Sequence, residues 1–236
     1  NARAKVGSEN PTHELLWKST ITDSIIKIDV SHLSGIMDYP DFIKKSEKME
    51  HPKAVIFHEH GFNEDKSILL IEIKSYDNKD RWICTIDSSG RLKEIDHQHD
   101  QAWIGGPGIS GWNMVSGNLG WITKETCFYQ SEKTGYSHLY SYNCTTQKTS
   151  SLSNGEFEIH EAWLNKDHSS FFVIANKKHP GNREFYLLDV EGSKWTPILT
   201  TDGHHQVSIS PDEKKVMVRY SYKNKPWELY IADIKE

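Results

Sequence analysis

The sequence predicts an all-β chain, and three observations carry that prediction. Apolar residues recur with a period of two rather than 3.6. Runs at 14–17, 24–30, 54–58, 67–73, 81–86, 127–130, 137–142, 170–175, 184–190, 216–220 and 227–231 are rich in Ile, Val, Tyr, Trp and Phe. Gly, Asn, Asp, Ser or Lys-Asp turns bound them. An aromatic strand ending in Asp or Asn then occurs four times, at 81–87, 138–143, 184–189 and 227–233, so its last residues lie 56, 46 and 44 positions apart. Upstream of three of these units a hydrophobic strand runs into a polar turn, at Gly120–Glu125, Ala162–Asp167 and Val207–Glu213.

A unit of roughly 40–50 residues built from about four short strands is the pattern of a β-propeller blade. One four-stranded sheet cannot cover both of its faces, and stacking against neighbours does so. A β-sandwich is the competing architecture, but it needs no fixed repeat. The units read as 54–100, 101–155, 156–203 and 204–236, preceded by a partial, irregular one over 13–53. Four to five blades with an irregular segment fit an arc of a larger, eight-bladed ring better than a small closed ring. Residues 39–51 read as the one helical stretch, with Pro40 in the first turn and Phe42, Ile43 and Met49 on one side; a polar loop is the other reading.

Composition excludes several classes. With 28 Lys and Arg against 33 Asp and Glu, the net charge is -5, which leaves no basic footprint for nucleic acid. The longest apolar stretch, at 68–73, falls far short of the ~18 residues of a membrane helix. Cys84, Cys127 and Cys144 are odd in number and lack C-x-x-C spacing, so neither a disulfide framework nor a structural zinc site is expected. Asn1-Ala2 reads as the remnant of a cleaved affinity tag, with the propeller fragment over 3–236.

Against this background, particular stretches carry a family likeness. They are Asp77–Ile83 (DNKDRWI), Asp100–Gly108 (DQAWIGGPG), Gln130–Tyr140 (QSEKTGYSHLY), Leu152–Ile159 (LSNGEFEI) and Ser210–Lys214 (SPDEK). In order and spacing they resemble the N-terminal β-propeller of dipeptidyl aminopeptidase IV-type serine peptidases of the prolyl oligopeptidase clan, especially bacterial ones. The likeness covers about two thirds of the chain, from residue 67 to the end. The Gln-Ser-Glu-x-x-Gly-Tyr-x-His-Leu-Tyr block is its most specific part, whereas Ser-Pro-Asp turns occur in many propellers.

The resemblance implies a two-domain parent enzyme. An α/β-hydrolase domain with a Ser-Asp-His triad would follow this region, and the propeller would gate access of peptide substrates to it. It also suggests a periplasmic or cell-envelope location. In that family a glutamate pair binds the substrate's free amino group. No Glu-Glu dipeptide occurs here, and aligning Asn10-Pro-Thr12 with the family would place the pair before residue 1. No G-x-S-x-G nucleophile elbow is present; the nearest approach, Gly108-Ile-Ser110-Gly-Trp112, has Trp at the last glycine position. No catalytic residue is therefore expected in this chain, which alone should cleave nothing.

The loop from Trp103 to Asn113 places four glycines and a proline between two tryptophans. Trp103, Trp112 and Asn113 are the candidates for peptide contact in the parent; packing as an inter-blade connection is the other reading. His58-Glu-His60 and His97-Gln-His99 would each set two imidazoles on one strand face. With no third ligand at a known spacing, they read as strand-face residues, and no metal or cofactor is expected. His204-His205 reads as structural, at a blade entry. Asn143-Cys-Thr145 matches a glycosylation sequon by pattern only. Glu156, Glu158 and Glu161 read as a solvated strand face. An isolated arc would expose end faces and strand edges, so self-association is expected. The alternative is a stand-alone protein- or ligand-binding propeller of the TolB or WD-repeat kind.

Overall fold

The computed structural model describes residues 7, 12–43, 47–109 and 115–234. They form seventeen β-strands and, among the described residues, no helix. The chain divides into two compact units, 1–104 and 105–236.

The first unit begins with a short antiparallel ribbon, β1 (Leu16–Lys18) against β2 (Ile25–Lys27). An antiparallel meander follows: β3 (Val55–Phe62), β4 (Ile68–Ser75), β5 (Asp80–Asp87) and β6 (Leu92–His99), hydrogen-bonded in that order. Ile28, Leu33 and Ile36 from the preceding segment pack with Ile71, Ile73, Trp82, Cys84 and Ile86 of the sheet. Trp82 Nε1 donates to the Ser34 carbonyl at 2.8 Å, which fastens that segment to the sheet.

Among the described residues of 39–51 the expected helix is not formed; they are turns, bends and irregular backbone, and 44–46 lie outside the described residues. Hydrogen bonds to the preceding segment are made instead: Met49 N donates to Met37 O and Lys53 N, just beyond the stretch, to Ile36 O, and among the described residues one turn bond runs from Ile43 N to Pro40 O. Burying Leu33 and Ile36 against the sheet outweighs the modest helix propensity of a short polar stretch.

The second unit holds three meanders. The first is β7 (Leu119–Trp121), β8 (Thr126–Ser131), β9 (His138–Asn143) and β10 (Lys148–Ser151). The second is β11 (Ile159–Leu164), β12 (Ser170–Ala175), β13 (Glu184–Asp189) and β14 (Trp195–Leu199). The third is three-stranded: β15 (His204–Ile209), β16 (Lys215–Tyr222) and β17 (Lys225–Asp233).

Strand β12 shows how this unit coheres. Phe171, Val173 and Ala175 enter one apolar cluster with Phe128, Leu139 and Ile159, while Phe172 and Ile174 enter another with Val216 and Val218. Its alternation therefore serves two faces, each packed on a neighbouring sheet. A sheet covered on both sides reads as a continuous apolar run, and Phe171 through Ala175 are all buried.

The repeated Asp or Asn at strand ends has a local cause. Asp87 Oδ1 accepts from Ser89 N and Arg91 N, Asn143 Oδ1 from Thr145 N and Thr146 N, and Asp189 Oδ1 from Ser193 N. Each side chain closes the turn into the next strand. The Asn143 amide also donates to Thr126 Oγ1, so this side chain is engaged in its turn. The preceding turns follow the same chemistry: Asn63 Oδ1 accepts from Ser67 N and Ile68 N, and Asn165 Oδ1 from Ser170 N.

Candidate functional site

Two constellations stand out, one in each unit. In the second, Gln130 and Ser137 of the QSEKTGYSHLY block form a buried clamp on Pro107 of the glycine-rich stretch. Gln130 is fully buried in β8, and its Nε2 donates to Ser137 Oγ and Ile159 O, both at 2.9 Å, and to Pro107 O at 3.3 Å. Its Oε1 accepts from Asn118 Nδ2 at 2.8 Å, and Ser137 Oγ also donates to Pro107 O, at 2.7 Å. Both amide ends of Gln130 are thus satisfied, as a buried amide requires.

The loop needs glycine to fit this clamp. Gly108 has φ +66°, and a Cβ there would overlap the Gln130 side-chain oxygen. A Cβ at Gly106 would overlap the Glu132 carboxylate. His138 is held by Ser153 Oγ at 3.0 Å and Gly155 O at 2.9 Å. Lys133 Nζ lies 3.9 Å over the Tyr140 ring, which stacks on Tyr129. The signature residues of this block therefore build scaffold.

Of the three residues expected to contact peptide, Trp103 is 66% exposed, with its backbone N donating to Asp100 Oδ1 at 2.9 Å. Trp112 and Asn113 lie outside the described residues. Glu158 is half-buried, its Oε2 accepting from Ser137 N at 2.6 Å, while Glu156 and Glu161 are exposed.

In the first unit, the pairing of β5 with β6 sets Asp80 opposite His99 and Trp82 opposite His97. Asp80 is 1% exposed. Its Oδ1 lies 2.9 Å from His97 Nε2 and 2.7 Å from His99 Nδ1, while Lys53 Nζ donates to its Oδ2 at 2.5 Å. The other His99 nitrogen faces Asp41 Oδ2 at 3.1 Å. His97 is fixed from both sides: its ring stacks on Trp82 at 5.3 Å, and a Cβ at Gly35 (φ +71°) would come within 2.9 Å of it.

The electrostatics follow from these contacts. Burial alone would raise the Asp80 carboxyl, but hydrogen bonds from His97, Lys53 and His99 bring it down to about 2. Partial burial would lower His99, yet hydrogen bonds to Asp80 and Asp41 raise it above the ordinary histidine value. A cavity of about 270 Å³ adjoins the cluster, lined also by Gly35, Asp38 and Tyr39.

Among the described residues, this is the place where three metal-capable side chains converge. The His-x-His spacing was visible in the sequence. The third group was not, because Asp80 arrives from the neighbouring strand through pairing register. At His58 and His60 a β-bulge interrupts the register, and His58 is buried beside Glu72 while His60 is exposed. His205 is buried against Arg183 O and Thr201 Oγ1, in keeping with a structural role.

The family model described as dipeptidyl peptidase IV (DPP IV) N-terminal region matches residues 25–227. A Tuber melanosporum protein named probable dipeptidyl-aminopeptidase B is 24% identical over 181 residues, 71% of this chain and 20% of that protein. Its Emericella nidulans namesake is 29% identical over 103 residues, 42% of this chain and 11% of that protein. The crystal structure of Porphyromonas gingivalis dipeptidyl peptidase 4 superposes with a TM-score of 0.67 at 14% identity, covering 95% of this chain and 28% of that one. The chain thus spans a fifth or less of these curated relatives, which are fungal. At this identity the structural likeness establishes the fold, a partial β-propeller.

Proposed function

The chain belongs to the dipeptidyl peptidase IV N-terminal region family, and from that membership we propose that it is the non-catalytic propeller part of a dipeptidyl aminopeptidase-like serine peptidase. In this reading it gates and positions peptide substrates for an α/β-hydrolase domain elsewhere in the same protein. The carrying observation is the family match over residues 25–227. The absence of any G-x-S-x-G sequence in the 236 residues agrees with it, since the nucleophile must then come from outside this region.

The exposed Trp103 ring supplies the positioning element in this reading. A large, exposed aromatic side chain offers a peptide apolar contact area. Peptide would be bound here, and acyl transfer would occur on the hydrolase domain.

The test uses the protein that carries the hydrolase domain, assayed with Gly-Pro-p-nitroanilide. Trp103→Ala should raise KM about three- to tenfold and leave kcat within about twofold, the signature of lost uniform binding. An unchanged KM removes Trp103 from substrate binding. A gene encoding no α/β-hydrolase domain beyond this region would replace the proposal with the stand-alone binding propeller.

A further inference from the structure

We propose that Asp80, His97 and His99 form a binding site for a divalent transition metal of the zinc class, with Asp41 orienting one of the histidines. The donor set is two imidazole nitrogens and one carboxylate oxygen, and all three donor atoms lie within 4.8 Å of one another. This composition suits Zn(II) and leaves one coordination position for solvent or another ligand.

The two distances from Asp80 require only small movements, and the two ring nitrogens lie within 4.8 Å of each other. Tetrahedral zinc with bonds of about 2.0–2.1 Å sets its donor atoms roughly 3.3 Å apart. Asp80 Oδ1 stands at 2.9 Å and 2.7 Å from the two nitrogens, so the ligands separate by about half an ångström to admit the ion. They can do so toward the adjoining cavity lined by Asp38 and Tyr39.

Two surrounding contacts prepare the ligands. Asp41 accepts from His99 Nε2, which directs the Nδ1 lone pair of that ring toward the ion once its proton has left. Outer-shell carboxylates commonly hold metal-binding histidines in this way. Lys53 occupies only Oδ2 of Asp80, so Oδ1 is the oxygen shared by the two histidines and the one the metal takes. Trp82 and Gly35 confine the His97 ring, which limits the entropy lost on binding.

Coordination uses the lone pairs of the two facing ring nitrogens, so a proton on His99 Nδ1 or His97 Nε2 leaves to solvent or passes to the other nitrogen of its ring, with no change of oxidation state.

The test uses the whole chain, free of any polyhistidine tag and stripped with chelator. Co(II) should bind one to one, giving visible d–d bands of tetrahedral intensity, and Zn(II) should displace it and raise the melting temperature reversibly with chelator. His97→Gln and His99→Gln should each weaken Co(II) binding at least about a hundredfold, and Asp41→Asn about ten- to a hundredfold. If a histidine variant fails to fold, the Asp41→Asn result and the chelator-reversible melting shift decide alone. No saturable band, or a band undiminished in these variants, would overturn the proposal, since it would place any bound metal on other histidines.

Discussion

Arg81 Nε donates to Glu72 Oε2 at 2.6 Å, and neither side chain has measurable exposure. Lys74 Nζ adds a second cation at 3.1 Å from Glu72 Oε1, and Arg81 Nη1 also donates to Gln98 Oε1 at 3.0 Å. This knot ties β4, β5 and β6 together inside the first unit. Glu72→Gln should destabilise that unit by about 3–5 kcal/mol, because it strips the counter-charge from buried cations. The double variant with Arg81→Met should cost less than the sum of the two single changes. Urea unfolding of the four proteins reads both; strict additivity would show that the pair is not coupled.

Gln130 is the corresponding element of the second unit. Replacing it with Ala removes the side-chain partner of Asn118 and donors to the Pro107 and Ile159 carbonyls. A loss of about 2–4 kcal/mol is expected from those groups. Gly108→Ala should cost about 1–3 kcal/mol through its positive φ and the overlap with Gln130. The two changes act on one clamp, so the double variant should cost less than their sum; an additive result would mean that loop and amide are independent.

His160 gives the chain a pH dependence. Burial lowers its pKa, and the charges of Arg183 and His204 lower it further, to about 4. Its Nε2 is buried and has no hydrogen-bond partner among the described residues. The unfolded chain therefore binds the proton first as pH falls, and stability is lost between about pH 6.5 and 4. The full shift corresponds to roughly 3 kcal/mol, and screening at a half-buried ring reduces it to about 1–2 kcal/mol. His160→Gln should flatten the pH dependence of the unfolding midpoint over that window. An unchanged slope would assign the effect elsewhere.

The last sheet has one covered and one open face. Val216 and Val218 are buried with Ala232 packed beside them, whereas Met217, Leu229 and Ile231 are 46%, 66% and 73% exposed. The pairing of Met217 with Ile231 and Arg219 with Leu229 puts these apolar residues on the same face. We propose that another sheet covers them in the whole protein, and that a second copy does so in the isolated chain. Light scattering should show a dimer or larger assembly, and Leu229→Lys with Ile231→Lys should shift it toward monomer. A strictly monomeric wild-type chain would contradict this.

The strands that sequence reading located are those with aromatic or β-branched alternation, such as β12 and β13. The ones it passed over lie at sheet edges. β10 is Lys-Thr-Ser-Ser and fully exposed, β14 carries Pro197, and β6 mixes Lys93, Glu94, Asp96 and two histidines. An edge strand is paired on one side only and buries little, so its composition carries a weak signal. The Asp80 cluster was half legible for a related reason. Spacing within β6 exposes the two histidines, but only the register between strands reveals their carboxylate partner. The helix expected over 39–51 failed because local periodicity cannot register the competing pull of Leu33 and Ile36 into the core.

Under the proposed function, the chemistry belongs to a hydrolase domain outside these 236 residues. Release of p-nitroaniline from Gly-Pro-p-nitroanilide is the decisive measurement, made on this chain alone and on the longer protein containing that domain. The expected result is no turnover by the chain alone, and turnover by the longer protein that a serine-directed inhibitor abolishes. Inhibitor-sensitive turnover by the 236 residues themselves would contradict it, because they hold no G-x-S-x-G nucleophile elbow.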